Sequence, residues 1–462
     1  MRNILLVNPW ICDFAAYDLW MKPFGLLRIA SLLKLHGYNL SYIDFLDRHH
    51  PKIKNLIRND DFGCGKFYKR RIQKPETIKD IQRPYFIYGL PEELIEEEVK
   101  KILKPDFILM TSGMTYWYPG LEYTTKFLER KFLDVPIVLG GIYATLLPEH
   151  AKSLEEIDYV VEGSDLSSVC LQLSQILGQN IYPHIKGFGV GVYPEYSLLS
   201  DTSSLVMETS KGCPFNCSYC GSKLLNNHFI QRDPAEVLKE IEFYSENFQV
   251  KDIAFYDDAL LFDADGHIIP VLDGVLKKGI RVNFHTPNGL HVRFINKKLA
   301  KKLKDANFKT ITLSFETVNP ARQKNTGGKV TTEEFKTAVE NLKSAGFSGK
   351  EIGVYLMIGM PHQDEREVRE GIAFLHELKV RIILVSYSLV PNTKDEKMLK
   401  EEGIIDDNLD PLWHNDTIFP SIVPLTSPLQ QWRVTGGTIK SNFSISSIKK
   451  LRDFVSSLNR KI

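Results

Sequence analysis

Lys211-Gly-Cys-Pro-Phe-Asn-Cys-Ser-Tyr-Cys-Gly221 is the stretch on which the reading of this chain turns. It places Cys213, Cys217 and Cys220 within eight residues at C-x3-C-x2-C spacing. Thiolates are soft ligands suited to zinc or to iron–sulfur clusters. A structural zinc ion takes four ligands, commonly from two C-x2-C hooks far apart, and no second hook exists in this sequence. A cubane 4Fe–4S cluster has four iron corners, so three cysteines leave one corner open to a substrate or cofactor. Three thiolates in one short loop suit such a cluster. Three structural or zinc-binding cysteines are the plainer alternative.

The 462 residues are enough for about two to three domains with sizeable cores. Hydrophobic content of 43% and charged content of 25% are those of an ordinary globular protein. A net charge of +1 gives no whole-molecule field toward nucleic acid or a membrane, so neither partner is expected. The Met-Arg-Asn-Ile-Leu-Leu-Val start does not read as a signal peptide. No apolar run reaches the roughly 18 residues that span a bilayer. Of the six cysteines half lie in one loop, which is no disulfide framework, and a reducing cytoplasm is the expected compartment.

The first half alternates strand and helix signals. Ile4-Leu-Leu-Val7 is an apolar run closed by Asn8-Pro9, and Leu40–Asp44, Phe107–Met110, Pro136–Leu139 and Asp158–Val161 are further predicted strands. Leu26, Ile29, Ala30 and Leu33 recur at helical spacing with Gly37 as the stop. Leu94, Val99 and Leu103 mark a second helix, and Leu121 to Phe132 a third. Repeated β–α units with continuous apolar strands predict a parallel sheet covered on both faces, a doubly wound flavodoxin-like domain. Its ligand would lie at the C-terminal strand ends. Residues 47–90 interrupt the pattern with Arg48-His-His-Pro51 and Phe62-Gly-Cys-Gly-Lys-Phe-Tyr-Lys-Arg-Arg71. That mixture of basic and aromatic residues reads as a solvated lid or loop, with RNA contact as the sharper alternative.

The second half repeats the alternation. Strands are predicted at Leu205–Glu208, Asp252–Tyr256, Val282–His285, Thr310–Phe315, Gly353–Ile358 and Ile382–Ser386. Asp233-Pro-Ala-Glu236 starts a helix, and Thr331-Thr-Glu-Glu334 is a capping box ahead of the apolar stripe Phe335, Ala338, Val339 and Leu342. Polar residues gather at the strand ends: Asp257 and Asp258, then Asn283, His285 and Asn288, then Ser314 and Glu316. Asp258 as a helix cap, Ser314 as a small core residue and His285 as a satisfied structural histidine are the plainer readings.

The cysteine loop, set after one apolar strand and before a long α/β region, resembles the defining loop of the radical S-adenosylmethionine (SAM) superfamily. The resemblance implies a 4Fe–4S cluster on Cys213, Cys217 and Cys220. Its open iron chelates the amino and carboxylate groups of SAM, and one electron cleaves SAM to a 5′-deoxyadenosyl radical. The six strands match the family's open (β/α)6 partial barrel. It implies SAM contacts at Asp257, Asp258, Asn283, His285, Ser314 and Glu316, and through the backbone of Met357-Ile-Gly-Met-Pro361. The first half resembles the cobalamin-binding domain of one subgroup on Asn8-Pro9, Pro23-Phe-Gly25, Ser112-Gly-Met114, Leu139-Gly-Gly-Ile-Tyr-Ala-Thr-Leu-Leu-Pro148 and Val161-Glu-Gly163. Ser112, Gly140 and Gly141 then line the cobalamin tail. No Asp-x-His-x-x-Gly follows the first strand, so no histidine is offered to cobalt, and a domain that kept the fold without the cofactor stays open. For Gly140 and Gly141 an ordinary strand-to-helix turn also stays open.

The resulting domains are 1–195 (cobalamin-binding-like, with the insertion), 196–395 (partial barrel) and 396–462 (C-terminal extension). The leading expectation is a cobalamin-dependent radical SAM enzyme, a methyltransferase on a small-molecule or peptide substrate, served by an electron donor such as flavodoxin or ferredoxin. The alternative is rearrangement, cyclisation or C–C bond chemistry with a vestigial cobalamin domain. A methylthiotransferase-like enzyme would need a second cluster, for which the candidate ligands are Cys12, Cys64 and Cys170. A redox sensor would not need the polar strand ends.

Overall fold

The computed structural model describes residues 2–183, 192–422 and 443–462, so part of the 396–462 extension lies outside them. The chain divides into two units, Met1–Val206 with Glu246–Lys251, and Met207–Ser245 with Asp252–Ile462.

The first unit carries β1 (Asn3–Asn8), β2 (Ile11–Asp13), β3 (Asn39–Asp44), β4 (Lys69–Ile72), β5 (Tyr85–Tyr88), β6 (Phe107–Met110), β7 (Ile137–Leu139) and β8 (Tyr159–Val160). Five of them form one sheet in the order β3-β1-β6-β7-β8, parallel at every pair. Alternation decides the faces. Ile4 and Leu6 join Leu109 and Val138 in a core with the helices Phe24–Leu35 and Leu166–Leu177, while Leu5 and Val7 are buried as well. Apolar runs buried on both sides are what a covered parallel sheet requires. The second helix has a local reason for each end: Asp165 accepts from the Ser168 amide, and Gly178 takes the left-handed conformation that closes it. The helix marked by Leu94, Val99 and Leu103 stops at Val99, and Leu103 is exposed. Pro105 follows, and the residue before a proline is pushed out of the helical region.

The 47–90 insertion corrects the expectation of an irregular, solvated loop. It supplies β4 and β5, which join β2 in a three-stranded antiparallel sheet ordered β2-β5-β4. Arg48 is buried rather than solvated. Its guanidinium bonds Asp18 at 2.6 Å, and it also reaches Asn59 and the Gly63 carbonyl. Lys69, Arg70 and Arg71 do remain exposed, along the outer strand, where charge discourages pairing with another chain.

The second sheet contains β9 (Ser204–Met207), β12 (Asp252–Phe255), β13 (Asn283–His285), β14 (Leu290–His291), β15 (Phe308–Glu316), β16 (Ile352–Ile358) and β17 (Arg381–Ser386), while β10 (Ser210–Lys211) and β11 (Ile230–Gln231) form a separate antiparallel ribbon. The order is β9-β12-β13-β15-β16-β17, with β14 beside β15. The pairs from β12 to β17 are parallel. Phe255, Phe284 and Phe308 line one face, their ring centres 5.3 to 5.9 Å apart. The Thr331–Glu334 capping box is present, and its helix Thr332–Ser344 buries Phe335, Ala338, Val339 and Leu342. The C-terminal helix Ile445–Asn459 lies against β17. Asn459 accepts from the Ile382 amide at 3.0 Å and donates to its carbonyl at 2.9 Å, completing the outermost strand as a neighbouring strand would. Among the described residues no helix is long and apolar enough to cross a membrane.

Candidate active site

The cysteine loop is shaped by what brackets it. The ribbon of β10 and β11 closes it at one end. Gly212 stands between ribbon and Cys213 with φ +72°, and a Cβ there would lie 2.6 Å from the His228 carbonyl oxygen, so only glycine fits. From the far side Gly327, φ +129°, comes so close that a Cβ would stand 3.0 Å from Cys217 Cα. Two backbone bonds hold the middle: Ser218 N–H to Thr326 O at 3.2 Å, and Asp395 N–H to Ser218 O at 3.1 Å.

The thiols are close enough to feel one another. Burial pushes Cys213 up to about 11, with the charges of Asp258, Cys217 and Cys220 pushing the same way. Desolvation also raises Cys217 and, although its residue surface is exposed, Cys220, and Lys329 opposes it at both. Free, all three are thiols at neutral pH; a metal would displace their protons. Among the described residues no three or more His, Cys, Asp or Glu are gathered as metal ligands, the loop thiols included. The donor set, three soft sulfurs on one loop, fits a cluster that takes one thiolate per iron.

The polar strand ends divide into three groups. Asp257 is buried and turned to the chain just ahead of the loop, accepting from the Thr209 amide at 3.0 and 3.1 Å, Thr209 Oγ1 at 2.6 Å and Ser210 Oγ. Asp258 accepts from Ser222 Oγ, two residues past Cys220. Burial raises both carboxyls, and these hydrogen bonds oppose it. Ser314 and Glu316 end β15, where Glu316 adopts a left-handed φ of +60°. Glu316 Oε1 pairs with Lys329 Nζ at 2.6 Å, nearly out of water, and that ammonium lies 5.8 Å from the centre of the Tyr219 ring. Burial works against the Lys329 charge, but Glu316, Cys217 and Cys220 together hold it above its ordinary pKa.

Asn283 and His285 belong to the third group, nearer the N-terminal edge of the sheet. His285 is fully buried, with Nε2 on Asp252 Oδ1 at 2.9 Å and Nδ1 on Thr310 Oγ1 at 3.0 Å. Asn283 donates to the same Asp252 oxygen at 2.8 Å. Asn288 reaches the Tyr256 carbonyl at 2.7 Å. After β16 the Gln363 side chain accepts from Gly359 N–H (2.8 Å) and Met360 N–H (3.2 Å) and donates to the Met357 carbonyl (3.1 Å), rigidifying the Met357–Pro361 segment.

In the first unit Ser112, Gly140 and Gly141 do meet. Ser112 Oγ donates to the Gly140 carbonyl at 2.8 Å, and Gly141, φ +102°, packs so that a Cβ would stand 2.4 Å from Ser112 O. Gly141 is thus required by the turn itself. Gly140 is open, its nearest neighbour 3.9 Å from a Cβ, and the large apolar Met114 (46% exposed) and Ile142 (43% exposed) stand beside these strand ends. The alternative second-cluster cysteines are not gathered: Cys170 packs in the core beside Leu173, and Cys12 and Cys64 are buried elsewhere on β2 and in the insertion.

Lys329, Thr209, Gly327 and His291 were not legible as site residues. Only Gly327-Gly-Lys329 carried a signal, two glycines before a lysine, and nothing local ties it to a loop a hundred residues earlier.

Residues 207–375 match the family model of the radical SAM superfamily. The chain carries a radical SAM domain and is an enzyme of that chemistry. The cofactors this domain implies are a 4Fe–4S cluster and SAM. A methyltransferase of Pyrococcus horikoshii is 26% identical over 331 residues, 64% of this chain and 70% of that protein. The anaerobic magnesium-protoporphyrin IX monomethyl ester cyclase of Rubrivivax gelatinosus is 22% identical over 303 residues, 56% of this chain and 53% of the cyclase. Among solved structures, the radical SAM methyltransferase TsrM of Kitasatospora setae, with cobalamin and a [4Fe–4S] cluster bound, superposes with a TM-score of 0.61 at 14% identity, over 87% of this chain and 76% of TsrM.

Proposed function

We propose that the chain reductively cleaves SAM at a 4Fe–4S cluster held by Cys213, Cys217 and Cys220, binds cobalamin in its first unit, and transfers methyl to a small-molecule or peptide substrate. The observation that carries it is the loop: three thiols clasped between Gly212 and Gly327, with Lys329 countering negative charge beside two of them. The strand order supports the rest. In chain order the first sheet runs 2-1-3-4-5, the flavodoxin-like arrangement whose ligand sits at the C-terminal strand ends. Open Gly140 and exposed Met114 and Ile142 offer a broad apolar ligand a seat there. The six successive strands of the second sheet suit an open (β/α)6 barrel.

Bound, the cluster with SAM supplies a substrate radical and cobalamin supplies a methyl carrier. The chain's own part is positional. The three thiolates hold iron; Asp257 ties Thr209 and Ser210 in place ahead of Cys213; the Glu316–Lys329 pair keeps a cation by the loop without adding net charge. An external one-electron donor such as flavodoxin or ferredoxin would reduce the centre. The cyclase relative favours the second reading, ring formation without methyl transfer. Anaerobic reconstitution with iron, sulfide and hydroxocobalamin, then desalting and metal analysis, separates the two. About four irons with one cobalt per chain is expected. Iron without cobalt would favour the second reading, and no iron would end both.

A further inference from the structure

One side chain against the cysteine loop has no part in that proposal. His291 ends β14, which pairs with β15 opposite Ser314. The turn before it is tight, since a Cβ on Gly289 would stand 2.1 Å from Ser314 Oγ. The imidazole, 6% exposed, stacks on Phe215 within the loop itself, ring centres 4.2 Å apart and planes 20° from parallel. Backbone pairing and stacking together fix where its nitrogens point. Nε2 lies 3.9 Å from Cys213 Sγ. Nδ1 is buried, and the Asp258 backbone is a further polar neighbour of the ring.

We infer that His291 donates an Nε2–H hydrogen bond to the Cys213 thiolate and thereby raises the reduction potential of the cluster, a role that rests on the cluster reading above. A neutral imidazole has one N–H, and the partner of each nitrogen decides which carries it. An iron-bound sulfur accepts and does not donate, so the proton belongs on the nitrogen that faces it. Reduction adds one electron to the cluster, whose charge spreads onto its sulfurs. An N–H dipole aimed at one of them stabilises the reduced state more than the oxidised one. His291 is a positioning residue here: it touches a cluster ligand, not the reacting atoms.

The test is a redox titration of the anaerobically reconstituted full chain without SAM, followed by electron paramagnetic resonance. His291→Phe keeps a ring to stack on Phe215 and removes the N–H. At a fixed potential its ratio of reduced to oxidised cluster should fall about tenfold, a midpoint lowered by about 59 mV for one electron. His291→Gln restores a donor and should move the midpoint back toward wild type. Independently, wild-type chain labelled with 15N-histidine should show a histidine nitrogen coupling to the reduced cluster in pulsed resonance. An unchanged midpoint in His291→Phe at full iron content would overturn the inference, and so would absence of the coupling in wild type. The second measurement decides the matter if the variants fail to hold iron. A wild-type chain that forms no cluster would instead sink the reading on which the inference rests.

Discussion

Lys329 Nζ and Glu316 Oε1 stand 2.6 Å apart, each side chain almost fully buried. Coulomb attraction offsets desolvation only while both are present, so removing one leaves an uncompensated charge, at a cost of about 3–5 kcal/mol. Lys329→Met should therefore lower the stability of the metal-free second unit by that order. The double variant Glu316→Gln with Lys329→Met should regain most of it. Urea denaturation of the three chains measures this, and a double variant no more stable than Lys329→Met would mean the pair is not a unit. The pair also shows where residue-level reading stops. The cysteines lie close in sequence, so their spacing alone announces shared chemistry. Glu316 was legible from its place in Leu-Ser-Phe-Glu-Thr, but its partner lies 13 residues on in a loop, and no periodicity joins them. His291 was hidden for the same reason: its meaning comes from Phe215 and Cys213, far away in sequence.

Among the elements, central strands such as β1, β6, β12 and β16 were legible because they are apolar runs buried along most of their length, whereas the two-residue β14 was not. Nor was β4. Lys69-Arg-Arg71 has the charge of a solvated loop, yet Lys69 spreads over Phe86 of the neighbouring strand, its ammonium 4.0 Å from the ring centre. Cross-strand context of that kind overrides intrinsic preference. The C-terminal helix was legible as a helix near Lys449–Phe454, but not as the cover of a sheet edge. Asn459 does that covering through paired hydrogen bonds to Ile382, whose side chain is buried. Asn459→Ala leaves that amide and carbonyl unserved and should cost about 1–3 kcal/mol. Amide exchange at Ile382 should quicken in the variant while exchange at β15 stays as it is. Equal acceleration across the whole sheet would show that the helix does more than finish one edge.

At the scale of the molecule, two units carry two candidate cofactor sites, each at its own strand ends. Hydrogen exchange resolves them separately. Loading iron and sulfide should protect 208–231 and 316–329, and chelating the metal should undo it. Adding hydroxocobalamin should protect 111–114 and 140–142, and no change in exchange there would contradict a cobalamin seat at those strand ends. The sequence by itself determined the alternation of strand and helix, the capping of helices such as Thr332–Ser344, and the three thiols of one short loop. All of these depend on neighbours a few residues away, where propensity and spacing act directly. Only the tertiary structure decided that Arg48 is buried, that Gly327 presses on Cys217, that Lys329 answers Glu316, and that His291 faces Cys213. Those relations join segments separated by up to about a hundred residues, and they exist only once the sheet has brought its strand ends to one side.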